Sequence, residues 1–268
     1  MRKASVVAAL RSQRAATLTR LAALPDHSWD ATCLPGWRVR DVAAHLVAMD
    51  EASVTGRLIP AVRGARDRQE FERWNDVGLA SWSERSPFEL LDALERWGER
   101  LARLAGRLPS AALRVPVSGW YGRQPLLFLL YRRVLDEWVH ECDVAWMAGS
   151  RAEPAAAGSE VSDVLAAAVL STLPHLGLPR TPRTSGVARL VVHVGEDHWQ
   201  TWGVDFARRQ YGARVTARPD VVVRTDACTL ALLMEDRWSW SRVPRDRLSM
   251  DGDELVASDL LDAIAPAP

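Results

Sequence analysis

Apolar residues in the first half of the chain recur at the three- and four-residue spacing of amphipathic helices. The start at Ser86 is the best marked, because a serine cap precedes Pro87 and Glu89 stands three residues after the cap. An all-α N-terminal half is therefore expected, with a loop over residues 109–124. The pattern predicts helices over residues 4–24, from Val39 to about Arg57, over 67–82, from Ser86 to about Leu108 and from about Pro125 to Ala148.

The pattern changes after a linker of small residues at 149–159. Beyond a helix at about 160–174, β-branched residues alternate with polar ones, which is typical of half-buried strands. The sequence thus predicts two domains, an all-α domain at residues 1–150 and an α+β domain at residues 159–268. In the second domain, strands are predicted over 188–194, 199–204, 213–216 and 220–225, and helices over 226–235 and 255–264.

Composition narrows the classes of protein to which the chain can belong. Of its 268 residues, 48% are hydrophobic and 25% are charged, as in a globular protein with its own core. The 34 basic residues balance the 34 acidic ones, which argues against a nucleic-acid-binding protein. No apolar run approaches the roughly 20 residues of a membrane span, and the N-terminus lacks the apolar region of a signal peptide. We therefore expect a cytoplasmic protein without a membrane partner, as either a monomer or a homodimer.

The last N-terminal helix combines residues that could bind a metal ion. Asp136 and His140 are four positions apart and therefore lie on one helix face, with Asp143 on roughly the same face. Such a pair is half of the metal sites that helical bundles carry. Glu137, three positions before His140, is the competing carboxylate; Asp136 is preferred because the four-residue spacing converges better.

His45 is the candidate for a third ligand, because it stands among alanine, valine and leucine residues of a predicted helix. Taken alone, a histidine in such surroundings is more often a hydrogen-bonded core residue than a ligand. Two inward-facing histidines on long helices favour the metal site, since two imidazoles, one carboxylate and an open position recur in catalytic zinc centres. His45, Asp136 and His140 are thus the predicted ligands. The cysteines Cys33, Cys142 and Cys228 are widely spaced and form neither a CxxC motif nor a disulfide framework.

Several segments resemble a known family. Residues 34–46, Leu-Pro-Gly-Trp-Arg-Val-Arg-Asp-Val-Ala-Ala-His-Leu, and residues 136–144, Asp-Glu-Trp-Val-His-Glu-Cys-Asp-Val, resemble the mycothiol-dependent maleylpyruvate isomerase family of the DinB-like superfamily. Residues 236–240, followed by residues 250–253, are similar to the family's C-terminal domain, which resembles sterol carrier proteins. The resemblance covers most of the chain in the right order.

The resemblance implies a DinB-like four-helix bundle followed by an α+β sterol-carrier-like domain. It implies a divalent metal ion, usually zinc, held by His45, Asp136 and His140. It also implies an arginine from the C-terminal domain that holds a substrate carboxylate, and Arg237 is the best match for this catalytic residue. The characterised isomerase has glutamate where this chain has Asp136, whose side chain is one methylene shorter.

The chemistry that the resemblance implies uses mycothiol, the thiol of actinobacteria, as a co-substrate. In an isomerase the thiolate adds to an electron-poor cis double bond, the adduct rotates about the resulting single bond, and expulsion of the thiolate leaves the trans product. In an S-transferase the sulfur stays attached to the electrophile. Lys3 is the only lysine beside many arginines, which fits the GC-rich genome of an actinobacterium.

A metal-dependent, mycothiol-using isomerase or S-transferase acting on a small electrophilic substrate is the favoured hypothesis. Two alternatives stay open. One is a metal enzyme of the same fold that uses no thiol, such as a hydrolase or a tailoring enzyme of secondary metabolism. The other is a non-catalytic small-molecule binding protein, whose apolar cavity would be lined by Trp37, Trp74, Trp120 and Trp138.

Overall fold

The change of pattern near residue 150 corresponds to a change of architecture. The computed structural model describes residues 3–148, 153–176, 185–195 and 198–265, so the first four positions of the predicted linker lie outside the described residues. Contacts divide the chain into two units, Met1–Val161 and Ser162–Pro268. The first is mostly helical, and the second is built on a five-stranded sheet.

Four long helices form the framework of the first unit, where α1 and α2 each pack against both α5 and α7. Short elements connect them: helices α3, α4 and α6 and two hairpins, β1–β2 and β3–β4. The helices are α1 (Lys3–Ala22), α2 (Val39–Val54), α3 (Leu58–Gly64), α4 (Arg68–Ala80), α5 (Pro87–Arg107), α6 (Ser110–Leu113) and α7 (Leu126–Ala145). The strands are β1 (Thr32–Leu34), β2 (Trp37–Arg38), β3 (Pro116–Gly119) and β4 (Gly122–Pro125).

The expectation of a plain loop over residues 109–124 is wrong, because α6 and the β3–β4 hairpin occupy it. Prolines and glycines in such short strands hide the alternation that marks longer ones. Helix α3 was also not predicted. Pro60 is tolerated in the first turn of α3, because the amides of that turn need no partner within the helix.

The core of the first unit lies where α2 meets α5. Val39, Val42 and Leu46 of α2 are fully buried, and Leu90 and Leu94 of α5 pack into the same cluster. Their three- and four-residue spacing puts each set on one face of its helix. This packing fixes the inward face of α2, on which His45 also lies.

The second unit is a sheet in the order β7-β6-β5-β8-β9, in which only β5 and β8 pair in parallel. Alternate residues of β5 are buried, and helices α9 and α10 pack against β5 and β8. The elements are α8 (Ser159–Leu176), β5 (Val187–Gly195), β6 (His198–Asp205), β7 (Gln210–Gly212), β8 (Val221–Asp226), α9 (Ala227–Met234), β9 (Leu248–Gly252) and α10 (Glu254–Ile264).

Two strands of this sheet differ from the predictions. The strand predicted at 213–216 is wrong, because pairing ends at Gly212, whose φ of +113° turns the chain and lets Val215 donate to the Gly212 carbonyl. Strand β9 was not predicted, since Leu-Ser-Met-Asp-Gly contains no β-branched residue. Among the described residues, no helix combines the length and apolar character needed to cross a membrane.

Candidate metal centre

Helices α2 and α7 bring the three predicted ligands together. His45 Nε2 lies 3.1 Å from Asp136 Oδ2, and His140 Nε2 lies 3.6 Å from Asp136 Oδ1. The three candidate donor atoms all lie within 4.8 Å of one another. In the part of the chain that the structure describes, no other group of three or more histidine, cysteine or acidic residues is so arranged.

These distances fit a small divalent ion. Ligand atoms about 2.0–2.1 Å from a tetrahedral zinc ion are separated from one another by about 3.4 Å. The two nitrogen–oxygen distances are close to that value, one at each oxygen of Asp136. Two imidazole nitrogens and one carboxylate oxygen are also the donor set of many catalytic zinc sites, which keep a fourth position open. The residues present therefore suit zinc, and the shorter aspartate side chain still reaches both imidazoles.

Each imidazole is oriented by a hydrogen bond at its Nδ1 atom. His45 Nδ1 lies 3.0 Å from Asn75 Oδ1 of α4, and His140 Nδ1 lies 3.0 Å from Asp143 Oδ2 one turn along α7. An Nδ1–H that donates to the Asn75 or Asp143 oxygen would leave the lone pair of Nε2 available to a metal ion. The sequence placed Asp143 on the correct face. Asn75 was missed, because a single asparagine in a polar helix carries no spacing signal.

Buried arginines surround the carboxylates next to this centre. Arg133 Nη1 donates to Asp136 Oδ2 at 2.6 Å, and Arg133 Nε donates to Asp50 Oδ1 at 3.0 Å. Burial opposes ionisation of Asp136, but its contacts with His45, His140 and Arg133 outweigh burial and hold the pKa of this carboxyl well below its usual range. Asp136 is therefore an ionised ligand candidate at neutral pH.

Glu137, the competing carboxylate, points to a different partner. Both of its oxygens accept from Arg14 of α1, at 2.6 and 2.7 Å, in a buried bidentate ion pair. The next residue on this side of α7, Glu141, accepts from Gln13 and Arg20. The acidic residues of α7 thus have two roles: Glu137 and Glu141 pair with α1, whereas Asp136 and Asp143 contact the histidines.

One indole covers the two histidines, and a small cavity reaches His45 and Asp136. The Trp37 ring stacks on His140 at 5.7 Å and lies 5.2 Å from His45. Trp120 lines the cavity, whereas Trp138 is fully buried in the core and Trp74 packs on Phe71. The cavity, of about 90 Å³, is lined by His45, Met49, Leu58, Val62, Phe71, Trp120, Tyr121, Leu129, Arg132, Arg133 and Asp136.

Arg237 belongs to the second unit. It follows α9, is half-buried, and its Nη1 donates to the Glu235 carbonyl at 2.8 Å. Its neighbour Asp236 has a φ of +56°, so the chain reverses sharply just before the arginine. The motif around Arg237 thus lies in a turn that follows the buried helix α9.

Comparison with protein-family models matches residues 10–145 to the family described as the mycothiol maleylpyruvate isomerase N-terminal domain. The chain belongs to this family. The matched residues run from α1 to the end of α7 and include the whole candidate metal centre, so the resemblance that residues 34–46 and 136–144 carry is confirmed. A search of curated proteins found no match to the chain.

Solved structures share the fold of this family member. A mycothiol-dependent maleylpyruvate isomerase matches at a TM-score of 0.57 and 15% identity, covering 94% of this chain and 95% of that one. A histidine-to-alanine mutant of a mycothiol-dependent maleylpyruvate isomerase matches at 0.57 and 14%, with the same coverage. A sterol carrier protein 2 like 2 from Aedes aegypti matches 39% of this chain and 98% of its own at 17% identity, and its TM-score of 0.32 is too low to establish a shared fold.

Proposed function

We propose that this chain is a metal-dependent, mycothiol-using isomerase or S-transferase that acts on a small electrophilic substrate. The observation that carries the proposal is the convergence of His45, Asp136 and His140 beside a cavity, in a chain of this family. A protein whose solved structure matches over 94% of this chain is named for mycothiol dependence and for maleylpyruvate isomerisation. Zinc is the metal that this donor set favours.

In this proposal each residue of the centre has a distinct role. His45 and His140 supply neutral nitrogen donors, and Asp136 supplies one negative charge. Asn75 and Asp143 hold both imidazoles in the tautomer that presents Nε2. A divalent metal ion held there would supply a net positive charge that favours the thiolate form of a bound thiol. Trp37 covers the histidines and restricts access of water from its side.

Three further expectations belong to the same proposal. The long helices α1, α2, α5 and α7 would correspond to the DinB-like four-helix bundle, and the second unit to the sterol-carrier-like domain, with domain limits at 1–150 and 159–268. Arg237 is proposed to hold a substrate carboxylate through a bidentate pair, which lysine cannot reproduce. The proposed setting is the cytoplasm.

Elemental analysis of the untagged protein tests the metal centre. We expect about one zinc ion per chain, and its loss in His45→Ala and in His140→Ala. His27→Ala is the matched control, because His27 is an exposed histidine of the same unit and should leave the zinc content unchanged. Absence of metal in the unsubstituted protein after incubation with zinc would contradict the proposal and favour a binding protein.

An assay with mycothiol then separates the reaction classes. Conversion of maleylpyruvate that requires mycothiol without consuming it supports isomerisation, and accumulation of a thioether supports S-transfer. Activity on any substrate that is unchanged by removal of thiol would contradict the mycothiol part of the proposal. His45→Ala should abolish either reaction, and Arg237→Lys should raise KM for a carboxylate substrate more than it lowers kcat.

A further inference from the structure

Helices α2 and α7 are joined by a buried ion pair close to the candidate ligands. Asp50 lies five residues after His45 on α2, and Arg133 lies three residues before Asp136 on α7. The Arg133 Nε atom donates to Asp50 Oδ1 at 3.0 Å, and both side chains are almost wholly buried. This pair therefore links the two helices that carry the candidate metal ligands.

The same guanidinium reaches the candidate ligand Asp136. Arg133 Nη1 donates to Asp136 Oδ2 at 2.6 Å, the short distance of a charge-assisted hydrogen bond, and His45 Nε2 lies 3.1 Å from the same oxygen. In the part of the chain that the structure describes, Asp136 Oδ1 accepts no hydrogen bond, and His140 Nε2 lies 3.6 Å from it. The two oxygens are thus unequal, since one is bound to an arginine and the other keeps its lone pairs for another partner.

The planar shape of the guanidinium fixes the direction of its contact with Asp136. Besides the bond from Nε, Arg133 Nη2 lies 2.9 Å from Asp50 Oδ1, so this side of the group is anchored on α2. Asp50 in turn accepts from Arg14 Nη2 of α1 at 2.6 Å. Because the nitrogens of a guanidinium are rigidly connected, anchoring Nε also fixes where Nη1 points. Lysine, with one nitrogen on a flexible chain, cannot make both contacts in this way.

The charges of this buried cluster leave Asp136 available to a cation. A buried arginine beside a metal site repels the metal ion unless carboxylates offset its charge. Arg14 and Arg133 contribute two positive charges here. The buried carboxylates of Asp50 and Glu137 match them, because Glu137 accepts from Arg14 with both oxygens and its Oε2 lies 3.8 Å from Arg133 Nη2. Arg133 can therefore orient Asp136 while the negative charge of Asp136 remains in excess.

We propose that Arg133 is a positioning residue of the metal centre, which holds Asp136 Oδ2 so that Oδ1 alone is presented to the metal ion. The inference rests on the proposed function only in taking Asp136 to be a ligand of a divalent metal ion. A carboxylate that binds through one oxygen leaves free a coordination position that its second oxygen would otherwise take. Catalytic zinc centres need such an open position for the reacting molecule. Arg133 thereby keeps the centre open to a co-substrate.

Zinc titrations against a chelating dye, and visible spectra of the cobalt(II) form, test this role in the full chain without thiol. Arg133→Lys keeps the positive charge but loses the planar fork, and we expect it to bind zinc about 10- to 100-fold more weakly. Tetrahedral cobalt(II) absorbs visible light several-fold more strongly than cobalt(II) with more ligands. The absorbance per bound cobalt should therefore fall several-fold in Arg133→Lys, because the second oxygen of Asp136 is free to join the metal ion. A loss of stability alone would not change this absorbance.

Two further variants separate positioning from charge and from packing. Arg133→Met removes the charge as well as the fork, and it should also bind zinc more weakly, although loss of a cation by itself would favour the metal ion. Arg14→Lys is the matched control, because Arg14 is similarly buried and also donates to Asp50, but its second carboxylate is Glu137. It should lower stability in urea while leaving zinc affinity and the cobalt spectrum unchanged. Asp50 keeps one arginine partner in every variant, and circular dichroism establishes that each is folded.

The outcomes separate this inference from the proposed function. Zinc affinity and a cobalt spectrum that are unchanged in Arg133→Lys, equal changes in Arg14→Lys and Arg133→Lys, or tighter zinc binding by Arg133→Met would each overturn the inference while the metal centre stands. Zinc binding that depends on Arg133 in a protein without thiol activity supports the inference and contradicts only the mycothiol part of the proposed function. Failure of the unsubstituted protein to bind zinc would contradict the metal centre and the inference together.

Discussion

Arg14 is a charged residue at a buried position of an amphipathic helix. It stands four positions after Leu10 and seven before Leu21, and all three are buried in α1. Its guanidinium donates to Asp50, to Glu137 and to the Leu94 carbonyl. In the sequence the arginine looks like an interruption of the apolar face, because nothing nearby in the chain identifies its partners on α2 and α7.

A glycine makes room for this arginine. Gly98 lies in the middle of α5, and a Cβ there would come within 2.5 Å of Arg14 Nη1. Glycine in a helix interior costs about 0.5–1 kcal/mol relative to alanine, so its presence calls for a compensating interaction. That interaction is the ion pairing of the Arg14 guanidinium, which passes Gly98, with two buried carboxylates.

Replacement of Arg14 by methionine should strongly destabilise the protein. Methionine fills a similar volume but leaves Asp50 and Glu137 buried without this partner, and breaking a buried ion pair from one side costs about 3–5 kcal/mol. Arg11→Met is the control on the same helix, because the Arg11–Glu99 pair is about half-exposed and should contribute little to stability. Urea unfolding measures both, and equal losses would contradict a special role for Arg14.

At the scale of elements, prediction succeeded where a local signal fixes an end of a helix. Ser86 Oγ accepts from Glu89 N, and the Glu89 carboxylate accepts from Ser86 N at 3.0 Å, so the predicted start of α5 is confirmed. The predicted second helix corresponds to α2, with His45 on its buried face. The hairpin β3–β4 could not be predicted in this way. Its four-residue strands are stabilised by packing on α3, a contact between distant parts of the sequence.

Prediction of the candidate site likewise succeeded within one element and failed between elements. The spacing of Asp136 and His140 within one helix could be analysed from the sequence, because the geometry of a helix is known in advance. Asn75 and Tyr121 could not, since each reaches the site only through packing of α4 or of the hairpin. Residues in the same element as a motif are therefore predictable, whereas those that other elements bring to it require the fold.

The N-terminal cap of α5 should contribute measurably to the free energy of unfolding. In Ser86→Ala the amide of Glu89 loses its partner and Glu89 loses the serine hydroxyl, so we expect a loss of about 1 kcal/mol. Ser83→Ala is the control, because Ser83 lies in the preceding turn and does not cap the helix. Both are measured by thermal and urea unfolding, and a loss of less than a few tenths of a kcal/mol would mean that packing alone determines where α5 begins.

At the scale of the whole chain, each unit contains a core of its own. The first has the cluster between α2 and α5, and the second has the buried residues of β5 and β8 under α9 and α10. The segment after α7 joins the first core, because Trp146 Nε1 donates to the Glu153 carbonyl and Ala155 N donates to Cys142 Sγ. An independently folding first unit should therefore extend beyond the limit at residue 150 that the sequence predicts and include Ala155.

Two fragments test this boundary. A fragment of residues 1–158 ends before α8, keeps the contacts of Glu153 and Ala155, and contains His45, Asp136 and His140. It should unfold cooperatively and bind zinc as the full chain does, because all three candidate ligands and their orienting partners are inside it. A fragment of residues 1–150 lacks both contacts, and the lost hydrogen bonds and exposed indole should cost about 1–3 kcal/mol. Equal stability of the two fragments would place the end of the domain at residue 150, whereas a failure of both to fold would show that the first unit depends on the rest of the chain.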